Sequence, residues 1–221
     1  MLADRLDAVR GELPAGVTLI VVTKFHPASL VRELAELGVR DFGENRHQEA
    51  TAKAAELADL DIDWHFVGQL QSNKAKAVRD YASVLHSLDR PSLLGPLADE
   101  ERSPIDAFIQ VNLTDDPARG GVAPAGLAAF AERTLATPGI RLVGLMAVAG
   151  IDAEPAAEFA RVRELRDRVL LPIAPAATSL SMGMSGDWRE AVREGATHLR
   201  IGTAITGNRP DPSYARTRTE G

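Results

Sequence analysis

No cysteine occurs in the 221 residues, which excludes a disulfide framework, thiolate zinc sites and cysteine nucleophiles and fits a reducing compartment. Aromatic residues are scarce, at 5%, so a core must be built mainly from Ala, Val, Leu and Ile, the residues that commonly fill barrel interiors. Positive charge is not in excess either: 31 acidic residues stand against 25 basic ones, for a formal net charge of -6. A chain of that sign carries no electrostatic footprint for nucleic acid or anionic lipid. Met1 to Leu13 alternates charged and apolar residues instead of forming a long hydrophobic run, so neither a signal peptide nor a membrane span is expected there. None of the five histidines forms a pair at metal-binding spacing. A cytoplasmic protein is the expectation, and apolar residues at 45% suffice for one substantial core.

Those apolar residues are distributed with a pattern. Eight short runs rich in apolar and β-branched residues read as strands: Thr18 to Thr23, Val39 to Phe42, Trp64 to Val67, Val84 to Leu88, Asp106 to Val111, Leu142 to Val148, Thr178 to Ser181 and His198 to Ile201. Stretches of helical spacing separate them. Leu30, Val31, Leu34 and Leu37 mark one face of the first, and Phe159, Val162, Leu165 and Val169 mark a later one. Unbroken alternation of strand and helix implies a parallel sheet, and a count of eight favours closure into a single (β/α)8 TIM-type barrel over an open sheet. Residues 1–207 are assigned to this α/β barrel. The polar stretch 208–221 reads as a tail that frays, and no C-terminal β domain is expected.

Chemistry in such a fold sits at the C-terminal ends of the strands. Lys24 follows Leu19-Ile20-Val21-Val22, and the two-residue period of a strand places it on the side of Val22 and Ile20. Facing the axis, it stands at the mouth of a largely apolar cavity, a setting that suits an amine to Schiff-base formation. Facing out, it is an ordinary surface lysine. Ser179 to Gly186 follows the seventh strand and Arg200-Ile201-Gly202-Thr203 closes the eighth. Loops at those two places form the recurrent phosphate site of the fold, with backbone N–H groups and the hydroxyls of Ser181 and Thr203 as donors. A serine-glycine stretch alone is equally an ordinary turn. Asp187 and Glu190 read as N-cap and capping-box partner of the next helix, and their charge keeps an anion off its axis.

A Schiff-base lysine beside a phosphate cradle suits a phosphorylated aldehyde cofactor or a phosphorylated sugar. Arg200 bears on the choice, because a permanently charged guanidinium aimed at a pyridine nitrogen donates to the ring and disfavours its protonation. Its competing role is an ion pair with a carboxylate of a neighbouring strand. His198 turns the same way as Arg200, as a hydrogen-bonded filler rather than a base.

Several segments carry a resemblance: Val22-Thr23-Lys24, Phe42-Gly43-Glu44-Asn45-Arg46 with Gln48-Glu49, His65 through Lys74, Gly144-Leu145-Met146, Ser181-Met182-Gly183-Met184-Ser185 and Arg200-Ile201-Gly202-Thr203-Ala204. Over nearly its whole length the chain resembles the YggS/PROSC family of pyridoxal phosphate homeostasis proteins, whose fold is similar to the barrel domain of alanine racemase, a fold-type III pyridoxal 5'-phosphate barrel. The resemblance implies Lys24 as the Schiff-base lysine and Arg200 at the pyridine nitrogen. It further implies Ser181, Gly202 and Thr203 around the phosphate, with Asn45 and Met146 in the pocket. His65 and Gln69 to Lys74 match the pattern without a chemical role beyond shaping the third loop. Three positions depart from it. Thr206 stands in place of the usual aromatic and His47 in place of an apolar residue. Arg119 replaces a lysine common among relatives, and an arginine cannot form an imine.

Two-base racemization needs a second acid/base, which alanine racemase draws from a separate domain and a partner subunit. None is readable here, since Tyr81 lies in a presumed helix and Tyr214 in the tail. The resemblance therefore implies a protein that carries or buffers pyridoxal 5'-phosphate in intracellular vitamin B6 homeostasis. It would be a monomer that passes the cofactor to apo enzymes, with no nucleic-acid or membrane partner. A slow racemase is the alternative, and a Schiff-base aldolase acting on a sugar phosphate is the third reading.

Overall fold

The computed structural model describes residues 1–114, 116, 119–150 and 153–208. Eight parallel strands close into a barrel in sequence order: β1 (Thr18–Val22), β2 (Asp41–Glu44), β3 (Asp63–Phe66), β4 (Val84–Leu88), β5 (Ile105–Gln110), β6 (Ile140–Met146), β7 (Ser179–Ser181) and β8 (His198–Ile201). Each falls on or within two residues of an expected run, so the (β/α)8 architecture is borne out. Closure is made by β1 against β8, with Thr18 beside His198 and Val21 beside Ile201. The α-helices among the described residues are α1 (Leu2–Arg10), α2 (Ala28–Glu36), α3 (His47–Glu56), α4 (Ala75–Val78), α5 (Leu94–Leu97), α6 (Leu127–Leu135), α7 (Pro155–Leu165), α8 (Trp188–Arg193) and α9 (Thr203–Thr206). No helix among them is long and apolar enough to cross a membrane. The expected tail lies outside the described residues apart from Asn208.

Helical spacing translates into packing where expected. Val31 and Leu34 of α2, and Phe159 and Val162 of α7, are completely buried against the sheet. Truncating one such leucine to alanine costs about 2–5 kcal/mol. Leu37 is the exception on its face. Helix α2 stops at Glu36, and Gly38 turns the chain with φ +81°, which leaves Leu37 partly in solvent.

The expectation of a core built mainly from Ala, Val, Leu and Ile is borne out, but the barrel axis departs from it. Aliphatic and aromatic side chains do fill the layer between sheet and helices: Val21, Phe42, Trp64, Phe66, Leu85, Ile109, Leu145, Leu180 and Leu199 all point outward into one continuous cluster. Alternate residues point to the axis; beside the apolar Ile20, Val22 and Met146 they include His65, His86, Phe108, Ser181, His198 and Arg200, which touch one another there. The axis is therefore partly polar. It is stable because the buried groups hydrogen-bond one another instead of facing hydrocarbon.

Candidate functional site

Parallel strands bring their C-terminal ends to one mouth, and the seven residues expected to hold the cofactor lie at or just beyond those ends. Lys24 comes two residues after β1, and Asn45 directly after β2. Met146 and Ser181 are the last residues of β6 and β7 and are neighbours in register. Arg200 is the next-to-last residue of β8, Gly202 follows the strand, and Thr203 opens α9. A Cβ built on Gly202 would come within 3.3 Å of the Val22 carbonyl oxygen, so the ends of β1 and β8 nearly touch beneath Lys24.

The backbone around Lys24 is clamped. The Lys53 ammonium, buried on α3, donates to the Thr23 carbonyl at 2.9 Å, to Glu44 Oε1 at 2.7 Å and to Glu49 Oε1 at 2.9 Å. The Thr23 hydroxyl donates to Glu44 Oε1 at 2.7 Å, and the Phe25 N–H donates to Glu49 Oε1 at 2.5 Å. Phe25 adopts φ +67°, a left-handed conformation that costs a non-glycine residue about 1–3 kcal/mol unless its surroundings impose it. Here Glu49 and the Arg46 guanidinium, 4.8 Å from the Phe25 ring centroid, impose it. Burial pushes the Glu44 carboxyl above its ordinary value despite the Lys53 ammonium, and its Oε2 has no hydrogen-bond partner. Lys24, between these two pinned residues, is half-buried, and its own ammonium makes no hydrogen bond or ion pair among the described residues.

Arg200 is buried and forms no ion pair among the described residues, although the Asp187 carboxylate acts on it at longer range. Its Nη1 donates to Ser181 Oγ at 2.6 Å and its Nη2 to the Ala147 carbonyl at 2.9 Å. The competing ion-pair role is therefore not what the structure shows. Burial lowers its pKa to about 10, which leaves it a cation at neutral pH. Ser181 Oγ also lies 2.8 Å from His86 Nδ1. Its hydroxyl is thus engaged inside the barrel.

The two loops expected to hold a phosphate are joined. Ser185 Oγ accepts from the Ala204 N–H at 3.2 Å. Gly183 has φ +94°, and a Cβ there would fall 2.6 Å from Ala191 Cβ, so only glycine lets this loop turn over α8. Asp187 is the N-cap of α8 as expected, but the capping box is corrected. No side-chain cap bond forms, because Asp187 Oδ1 accepts from the Met184 N–H at 2.6 Å and ties down the loop instead.

On the opposite side of the mouth, Gly68 presses against Asn45; a Cβ at Gly68 would lie 2.2 Å from the Asn45 carbonyl oxygen. Asn45 Oδ1 is buried without a hydrogen-bond partner. The segment Gln69 to Lys74 walls a cavity of about 370 Å³ beside it, together with Arg46 and Phe66. A second cavity, of about 590 Å³, opens at the other, N-terminal face of the barrel and is lined by Asp41, His65, Tyr81 and His198 among others. Two ion pairs border it, Arg102 with Asp80 and Arg141 with Asp106.

Sequence reasoning missed Glu44, Glu49 and Lys53 as the clamp, Ser185 as the loop tie, and His86. Glu49 and Lys53 carry a readable signal, an i,i+4 acid–base pair on one helix. His86 carries none, because it sits inside an apolar strand run.

Residues 1–210 match the family model described as "Alanine racemase, N-terminal domain". A pyridoxal phosphate homeostasis protein of Pseudomonas aeruginosa is 44% identical over 205 residues, covering 90% of this chain and 87% of its own length. One from Aquifex aeolicus is 39% identical over 210 residues, covering 91% and 90%. The structure of PipY from Synechococcus elongatus with PLP bound is 40% identical, with a TM-score of 0.85 over 94% of this chain and all of that one. Alanine racemase of Corynebacterium glutamicum has a TM-score of 0.71 at 16% identity, covering 96% of this chain and 61% of its own, a likeness of fold.

Proposed function

We propose that this chain, which belongs to the alanine racemase N-terminal domain family and within it to the pyridoxal phosphate homeostasis proteins, holds pyridoxal 5'-phosphate at the C-terminal mouth and carries or buffers it. The observation behind this reading is Lys24, whose chain neighbours are pinned by Glu44, Glu49 and Lys53 while its own amine is left without a protein partner among the described residues. When bound, the group supplies an aldehyde that condenses with a lysine amine, releasing water, and a phosphate that anchors it.

The residues present fit such an occupant. Lys24 offers the amine at a fixed backbone position. Arg200 uses Nη1 and Nη2 within the protein and keeps Nε–H for the ring nitrogen. Asn45 Oδ1 is an unpaired acceptor at the rim, and Met146 supplies a buried apolar wall. Gly202 and the hydroxyl of exposed Thr203 are assigned to the phosphate, beside the Ser185 to Ala204 tie. Ser181 is assigned to holding Arg200, since its hydroxyl is already engaged.

A carrier is favoured over a racemase. Relatives at 39–44% identity are named for cofactor homeostasis, whereas the alanine racemases share the fold alone. Tyr81, His65 and His198, the candidates for a second base, line the opposite face of the barrel, which supports the same reading. The reading also gives a cytoplasmic monomer that supplies apo enzymes, with no nucleic-acid or membrane partner. Its test is to load the protein with pyridoxal 5'-phosphate, desalt it, and follow L-alanine and D-alanine in deuterated water with chiral analysis. The expected result is a yellow protein with no Cα exchange above free cofactor. Exchange with inversion that depends on Lys24 would replace the carrier by a racemase and direct the search for a base to His26, on the Lys24 loop.

A further inference from the structure

His86, His65 and Asp41, along the barrel axis below Ser181, have no part in the function proposed above, yet with Arg200 and Ser181 they form one continuous chain. From the mouth downward, Arg200 Nη1 lies 2.6 Å from Ser181 Oγ, Ser181 Oγ 2.8 Å from His86 Nδ1, His86 Nε2 2.9 Å from His65 Nδ1, and His65 Nε2 3.0 Å from Asp41 Oδ1. Asp41 is the first residue of β2 and lines the cavity at the N-terminal face. The chain thus crosses the barrel from one face to the other.

With both rings neutral, the two ends dictate its direction. A guanidinium can only donate, so Ser181 Oγ must accept from Arg200. An ionised carboxylate can only accept, so His65 must carry its proton on Nε2. A neutral imidazole has one N–H, which leaves His65 Nδ1 as the acceptor of a proton on His86 Nε2. His86 Nδ1 is then bare and accepts the Ser181 hydroxyl. This assignment satisfies both ends of the chain and every link between them. Burial, with the Arg200 cation nearby, holds His86 well below the ordinary imidazole value, consistent with a neutral ring. Packing allows little rotation: His86 stacks on Phe108 at 4.6 Å and 13°, and His198 meets the same Phe108 ring edge-on at 5.0 Å.

We propose that His86, backed by His65 and Asp41, is a positioning residue that orients the Ser181 hydroxyl and through it holds the Arg200 guanidinium at the cofactor mouth. The inference deepens the function proposed above and rests on it for the role of Arg200. The Ser181 hydrogen is committed inward to His86, so its oxygen presents aligned lone-pair density to Arg200. Asp41 acts across the whole depth of the barrel by fixing which nitrogen of each ring is protonated.

Two measurements test it. Long-range 1H–15N spectra of the cofactor-free protein at pH 8 should show His65 and His86 both as the Nε2–H tautomer; an Nδ1–H ring at either position would overturn the chain whether or not the protein binds pyridoxal 5'-phosphate. In the loaded protein, His86→Ala should shift the visible band and raise the cofactor Kd roughly tenfold. His86→Asn, which can place an acceptor near the Nδ1 position, should restore most of both. An unshifted band and unchanged Kd in a folded His86→Ala protein would overturn the positioning role. If the wild type itself binds no cofactor, the proposed function falls, while the tautomers still decide the chain.

Discussion

The Lys53 ammonium donates to the carbonyl oxygen of Thr23 at 2.9 Å, so one buried lysine fixes the backbone immediately before Lys24. The same ammonium pairs with Glu44 and Glu49, which hold Thr23 and Phe25 on either side of Lys24. Removing it strands two carboxylates that have little water to solvate them. Lys53→Met should therefore cost about 3–5 kcal/mol of stability at pH 7. Because burial already favours protonated Glu44, that loss should shrink as pH falls. Urea denaturation at pH 7 and pH 5 measures both effects, and an equal loss at the two values would argue against the clamp.

Gly68 tests the opposite wall. An alanine methyl at this position would meet the Asn45 backbone at 2.2 Å, whereas at Gly186 it would meet nothing within 4 Å. Gly68→Ala should destabilise the fold by about 1–3 kcal/mol and weaken cofactor retention through displacement of Asn45. Gly186→Ala should stay within about 0.5 kcal/mol of the parent. Thermal melts with equilibrium dialysis of the cofactor separate the two variants.

The histidines on the axis make stability depend on pH. Burial holds His198 down to about 4 and His86 well below the ordinary imidazole value of 6.5. Between about pH 4 and 6.5 the unfolded chain therefore binds more protons than the folded one at both positions. Their contribution is fully present above 6.5 and is lost as pH falls, at up to about 1.4 kcal/mol per pH unit for each ring. His198→Asn should reduce that slope by the share of one ring, as read from unfolding free energies measured from pH 7 to pH 4.5.

The barrel was legible because strand and helix periods alternate eight times, and the positions of Lys24, Ser181, Arg200, Gly202 and Thr203 were legible because they end or follow strand runs, whereas Asn45 and Met146 were implied only by the family resemblance. The axis was not. His86 stands in the run Val84 to Leu88, where a register irregularity between Leu85 and Leu88 against β5 breaks the two-residue period that would have revealed its facing. The clamp was hidden for a different reason. Glu44 ends a strand and Lys53 lies on the following helix, so their contact depends on how α3 packs on the sheet and not on spacing along one element. Ser181 and Thr203 looked equivalent as hydroxyl donors until the structure put the Ser181 hydroxyl against Arg200 and His86.

That distinction is open to measurement. Thr203→Val should weaken pyridoxal 5'-phosphate binding by about 1.5–3 kcal/mol, the usual worth of a hydrogen bond to a charged group, and leave the visible band in place. Ser181→Ala should move the band by releasing Arg200. Equilibrium dialysis and absorbance spectra of the two single variants, read side by side, distinguish a phosphate donor from an arginine holder.

Borohydride reduction of the loaded protein followed by peptide mapping identifies the lysine that holds the cofactor. One pyridoxyl-modified peptide is expected, with the label on Lys24. Lys24→Ala, with an unchanged far-ultraviolet circular dichroism spectrum, should be neither yellow nor labelled. A label on Lys53 or Lys74, or a Lys24→Ala protein that stays yellow after dialysis, would contradict the assignment to Lys24.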